Sequence, residues 1–228
     1  MTVSDSPFPD TPAPDARAPD IPAPDVPDVP APDAPVSSAM MLASEITKRP
    51  VVTLTGEAVA QVKDLVFDGT VGRVAGFTLS GRGLLSGPLR HSLPWSGVHG
   101  LGHDAVMIKD ETVFESKADV LARGSGDRGG DVLGSRVLTD GGTDLGRISD
   151  VVVEVVDGTS AHVVGYEIAS SDALERQGRK VFIPLSETTA VSGEALVIPA
   201  AASEFIADDL PGFAAAVQAY RARRGTEV

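Results

Sequence analysis

The chain has 228 residues, a formal net charge of −13 and no cysteine. Without cysteine there is no disulfide framework, Cys-ligated zinc, iron–sulfur cluster or thiol nucleophile. An acidic chain repels phosphate backbones, which argues against nucleic-acid binding, and no apolar run reaches the roughly 18–20 residues of a membrane-spanning helix. The N-terminus also lacks the basic start and apolar core of a secretory signal, so a cytoplasmic location is expected.

Residues 1–40 read as a tail. A short-period Pro-Asp repeat runs from Pro7 to Pro35, with Arg17 as its single basic residue. Proline removes backbone donors and favours an extended, solvated chain, and the spaced aspartates repel one another. Phe8, Ile21 and a few valines cannot recover the cost of ordering, so the tail is expected to be disordered. It reads as a spacer or solubility tail, with a ligand for a proline-recognition groove as the alternative. Met40 and Met41 stand where the folded part begins, a position that would suit an alternative start.

From Leu42 the pattern changes to short β-branched runs separated by turn signals, which predicts an all-β fold. Sliding the chain by 86 residues lays VVTLTGEAVAQVKDLVF (51–67) over VLTDGGTDLGRISDVVV (137–153). Gly56 then meets Gly142, Val59 meets Leu145, Val62 meets Ile148 and Asp64 meets Asp150. Slightly larger offsets lay VAGFTL (74–79) over VVGYEI (163–168), HSLPWS (91–96) over VFIPLS (181–186) and DAVMI (104–108) over EALVI (194–198). Blocks repeated in the same order mark a duplicated domain.

Each copy reads as a series of hairpins. Asp157-Gly158 is a favoured tight-turn pair between VVVEVV (151–156) and AHVVGYEI. Val164, Tyr166 and Ile168 alternate onto one face, as Ala75, Phe77 and Leu79 do in the first copy. Gly76 and Gly165 mark the point where a small barrel would bend a strand or admit a close backbone. The expected architecture is two tandem small antiparallel barrels, at 41–121 and 131–202, joined by a Gly-rich linker at 122–130.

That linker holds Gly124, Gly126 and Gly129 in the spacing of the dinucleotide fingerprint. The fingerprint needs a strand before it and a helix after it, and here the glycines join two β domains. Residues 203–228 then read as a helix. Asp208 or Asp209 caps it, Pro211 suits the first turn, and Phe213, Val217 and Tyr220 form an apolar stripe. Arg221, Arg223 and Arg224 complement the negative end of its dipole. ETVFESKADVL (111–121) reads as a shorter counterpart after the first barrel.

Taken together, GEAVAQVKDLVFD, GFTL, LPWSGV and DAVMI in the first copy, and GTDLGRISDVVVE, GYEI, IPLSET and EALVI in the second, resemble the PRC-barrel family. This is the family of the cytoplasmic domain of the photosynthetic reaction-centre H subunit and of the C-terminal domain of a ribosome maturation factor. The resemblance runs from Leu42 to Ile108 and from Asp131 to Ile198. It implies a small barrel that binds proteins and no shared catalytic site. The Pro-Asp tail is expected to stand where the H subunit has its membrane anchor, and no separate N-terminal domain of the ribosome-factor kind is expected. Neither specific role carries over.

The residues offer little chemistry. His99 and His103 are four apart, but Gly97, Gly100 and Gly102 argue for a turn. Their partners in the second copy are Thr189 and Gly193. A metal held by His91, His99 and His103 beside Asp104 is the sharper reading, and solvated loop histidines the plainer one. Thr53/Thr139, Asp64/Asp150 and Ser96/Ser186 recur. An aspartate between apolar strand positions could be a general base, but more often it faces solvent or accepts backbone hydrogen bonds at a bulge. No nucleophile elbow, phosphate loop or zinc-protease motif is present. The expected protein is therefore not an enzyme and carries no cofactor.

The expected function is a protein-binding adaptor or regulatory scaffold, with self-association open to it. Trp95, the only tryptophan, reads first as a core plug and alternatively as a partly exposed partner anchor; Phe213 and Tyr220 on the helix are the other partner-binding candidates. The alternative is a sensor that holds a small molecule or metal between the barrels. A membrane-peripheral regulator is disfavoured by the net charge.

Overall fold

The computed structural model describes residues 38–68, 72–82, 87–124, 129–156, 158, 160–174, 178–185, 190–191 and 195–226. The Pro-Asp stretch, Asp157, Ser186, Thr189 and Gly193 lie outside them. β1 (Ser38–Leu42) and α1 (Ala43–Ile46) come first. β2 (Pro50–Thr53), β3 (Ala58–Phe67), β4 (Val74–Ser80), β5 (Pro88–Pro94), β6 (Val98–Leu101), β7 (Val106–Ile108) and β8 (Glu115–Ser116) follow. Two helices, α2 (Lys117–Arg123) and α3 (Gly129–Val132), lead to the second half. That half holds β9 (Arg136–Thr139), β10 (Asp144–Val156), β11 (Ser160–Ser170), β12 (Lys180–Pro184), β13 (Ala190–Val191), β14 (Ala195–Ile198) and α4 (Leu210–Thr226).

The repeated sequence blocks become repeated topology. One sheet runs β6-β7-β2-β3-β4-β5-β8 and the other β13-β14-β9-β10-β11-β12, with β1 added alongside β10. Leaving aside β8 and β1, the two orders are the same. Neighbours are antiparallel except β2 with β7 and β9 with β14, so each half carries one parallel pair. Both sheets curl into half-barrels.

The likeness between the two halves extends to single hydrogen bonds. Thr53 donates its N–H to Glu57 O at 2.8 Å, and its hydroxyl oxygen accepts from Glu57 N at 3.1 Å. Thr139 does the same with Thr143, at 2.8 and 3.0 Å. These turns need a left-handed residue, and Gly56 (φ +88°) and Gly142 (φ +83°) supply it. The recurring threonines are thus turn clamps.

Gly76 and Gly165 meet the other expectation. A Cβ on Gly76 would lie 2.2 Å from Leu93 O, and one on Gly165 the same distance from Ile183 O. Only glycine lets these paired strands come so close.

The two halves belong to one unit, Pro35–Val228. β1 pairs with β10, from Ser38 opposite Val156 to Leu42 opposite Val152. Met41 and Leu42, read from sequence with the first barrel, therefore complete the second sheet. Next in the chain, α1 packs on β10 and buries Ala43 and Ile46. The reverse contact is made by α3, which packs on β3 and buries Val132. Each half thus sends its leading helix onto the long strand of the other, and one apolar core runs through both. Burying Ile46 alone contributes about 1.5–3 kcal/mol.

The outer faces carry the remaining helices. Buried Val120 holds α2 over β4 and β5. Packed along β12, α4 buries Phe213 and Val217 beside Val152, Val164 and Phe182. Val164 belongs to this outer cluster, while Tyr166 and Ile168 belong to the main core. The alternation breaks because β10 and β11 slip between the pairs Val152–Gly165 and Val153–Val163. Among the described residues no helix is long and apolar enough to cross a membrane.

Candidate functional site

The β3–β4 and β10–β11 hairpins meet at a seam. Val163 donates its N–H to Gly72 O at 2.7 Å, and Arg73 forms an isolated antiparallel bridge with His162. A Cβ on Gly72 would stand 2.5 Å from Val163 O, so the seam closes backbone to backbone. The slip in the first half, between Val66–Gly76 and Phe67–Val74, leaves Ala75 unpaired and half-buried, outside the alternation of its strand.

Beside Ala75 sits Trp95. Pro94 ends β5, and the chain turns at once through a short 3₁₀ segment, Trp95–Gly97. The indole packs against Phe77, centroids 5.9 Å apart and planes tilted by 52°. The rest of the half-buried ring lines a cleft of about 250 Å³. Arg73, Val74, Ala75, Ser96 and Arg123 complete the wall from one half, and Ser160 and Ala161 from the other. Arg123 is the last residue of α2, where a cation suits the helix dipole, and it pairs with Glu115. The cleft therefore combines an aromatic plate, two guanidinium groups and two hydroxyls across the junction of the halves.

Residues 39–113 match the PRC-barrel domain. No curated protein matches the chain. The PRC-barrel segment supplies Arg73, Val74, Ala75, Trp95 and Ser96, whereas Arg123, Ser160 and Ala161 lie beyond it. It also includes most of β1, the strand that hydrogen-bonds to the other sheet. The PRC-barrel stretch is thus covalently one segment but pairs across the molecule.

The three residues marked from sequence for partner binding have different surroundings. Only Trp95 lines a cleft. Phe213 is fully buried against Phe182, with centroids 5.7 Å apart. Tyr220 is 7% exposed and meets Phe205 edge-on at 5.2 Å. The apolar stripe of α4 thus faces the chain's own second half. Asp209 caps this helix by accepting from Gly212 N at 2.7 Å.

The titratable candidates are dispersed. His91 stacks on Phe114, His99 is exposed on β6, and His103 pairs with Asp104 at 2.8 Å on the surface. Among the described residues no three His, Asp or Glu side chains gather as metal ligands. Asp64 and Asp150 each sit at a register slip and accept a neighbouring backbone N–H, from Leu65 at 2.9 Å and Val151 at 2.7 Å. Both do what an aspartate at a bulge is expected to do.

Two buried acids were not singled out from sequence. Glu154 accepts from Arg221 at 2.8 Å. Glu167 accepts from the Ser149 hydroxyl at 2.6 Å and pairs with Lys180 at 2.8 Å. The Glu167 carboxylate holds the Lys180 amine above its ordinary value of 10.5. The available signal for Glu154 was a lone acid inside the apolar run VVVEVV. Arg73 and Arg123 carried no comparable signal, because 50 residues of chain separate them.

Proposed function

We propose that this protein is a non-catalytic adaptor built from two PRC-type barrels, which holds a partner protein in the cleft at their junction. The second barrel is part of the proposal, supported by the shared strand order and the twin Thr–Gly turns. A cytoplasmic location belongs to the same reading, in keeping with a cysteine-free sequence.

The observation that carries the proposal is Trp95, half-buried and braced by Phe77 at the lip of a cleft that both halves line. A rigid aromatic anchor beside arginines is the composition of an interface hot spot. The sensor reading, with a small ligand between the barrels, addresses the same cleft. Its volume of about 250 Å³ falls below the ~300–1,000 Å³ usual for small-molecule sites. It is better matched to one or two side chains of a protein partner.

The test is affinity capture with the tagged full-length chain and its Trp95→Ala variant. The adaptor reading expects a stoichiometric partner on the native chain, lost with the variant, and no ligand-induced rise in melting temperature. Equal capture by both forms, or a saturable melting shift with a small molecule, would overturn it.

A further inference from the structure

We infer that the segment seated in this cleft is acidic and carries both carboxylates and an apolar side chain. The inference rests on the adaptor reading and supplies the chemistry of its partner.

The first argument is charge. The chain carries −13 overall, yet among the described residues the cleft is lined by Arg73 and Arg123 and by no acid. Arg73 is exposed, and its guanidinium makes no ion pair among the described residues. Arg123, about half exposed, already binds one carboxylate, that of Glu115, which leaves further N–H donors of its fork for another.

The second argument is placement. The bridge to His162 fixes the backbone of Arg73, and the end of a capped helix fixes that of Arg123. Trp95, Ala75 and Ala161 line the same cleft and supply its apolar surface. Two arginines sharing a cleft with an apolar surface match a segment that carries both carboxylates and an apolar side chain, because arginine engages carboxylates through paired hydrogen bonds. Both arginines meet solvent, so the affinity is salt-dependent.

Trp95 is the chain's single tryptophan, so its fluorescence reports the cleft alone. The experiment titrates the full chain with the blocked peptide SDELDES, its uncharged counterpart SNQLNQS, and succinate as a small dianion. A saturable Trp95 response is expected with SDELDES, about tenfold weaker or more with SNQLNQS. It should weaken between about 50 and about 500 mM salt. The Arg73→Gln/Arg123→Gln double variant, its fold verified by circular dichroism, should lose about tenfold in affinity, close to 1.4 kcal/mol. No saturable response to SDELDES, equal responses to both peptides, or an unchanged double variant overturns the inference. Succinate that saturates as readily as SDELDES also overturns it, in favour of a small-anion sensor. Failure here with capture still lost in Trp95→Ala leaves the adaptor reading standing and removes only the acidic partner.

Discussion

The backbone N–H of Ser44 donates to Oδ1 of Asp150, 3.2 Å away and 106 residues later in the chain. The same oxygen accepts from Val151 N at 2.7 Å. One buried carboxylate thus secures a bulge in β10 and ties α1 to the opposite half. Asp150→Ala strips the acceptor from both donors, one of them buried, and should cost about 1–3 kcal/mol. Asp150→Asn keeps an oxygen in place and should cost about 1 kcal/mol or less, through lost charge assistance. Urea unfolding of the two variants checks this ranking, and an Asn variant as unstable as the Ala variant would contradict it.

That tie also marks the limit of what the sequence revealed. Turn glycines and helix caps are local patterns: Gly56 and Gly142 sit in their turns and Asp209 caps the last helix, although that helix begins at Leu210 and not at residue 203. Pairing between halves is not local. Nothing in SAMML states that β1 will lie on β10, because periodicity reports a buried face and not its neighbour. The cleft was hidden for the same reason. Ala75 reads as the third member of an alternating core face, and a register slip removes it. Trp95 was found because its residue type is informative alone, whereas Arg73 and Arg123 gain meaning only from the seam.

Glycines of two kinds should respond differently to alanine. Gly56 and Gly142 have open space around a Cβ but a positive φ, so each substitution should cost about 1–2 kcal/mol. Gly76 and Gly165 face a carbonyl oxygen at 2.2 Å, and moving a paired strand should cost about 3 kcal/mol or more. Chemical denaturation of the four variants tests the contrast, and similar losses at all four sites would refute it.

Helix α4 should owe its position to Phe213 rather than to its surface ion pairs. Phe213→Ala empties a fully buried site and should cost about 3–5 kcal/mol. Arg223→Ala removes an exposed pair with Glu204 and should cost about 1 kcal/mol or less. Thermal melts of the two variants give the comparison. A larger loss from Arg223→Ala would show that the helix is held electrostatically.

Lys180 predicts an alkaline weakness. Glu167 raises the amine above 10.5, chiefly by hydrogen bonding and then by charge. A folded-state value above the unfolded one stabilises fully below pH 10.5, and the benefit fades as pH rises through the folded value. Lys180→Met should therefore melt below the native protein near pH 7, with the gap narrowing as pH rises beyond 10.5. Melting curves at the two pH values decide it. A gap of constant size would assign the effect to packing.

The crossing of β1 sets a different expectation for truncation. Deleting residues 1–40, the stretch read from sequence as tail, removes Ser38, Ala39 and Met40 and three of the five β1–β10 pairings. Met40 also packs at the edge of the cluster beneath α4, so that cover loosens as well. The first sheet loses no strand pairing, because β1 pairs with β10 alone. At about 1 kcal/mol per hydrogen bond the deletion should cost roughly 1–3 kcal/mol, a fall of several degrees in melting temperature. The damage should fall on the half that is distant in sequence. Hydrogen exchange reads this directly: protection should drop in the 154–156 stretch of β10 and hold in β3. A drop confined to β3 would mean that β1 serves the half that follows it in the chain.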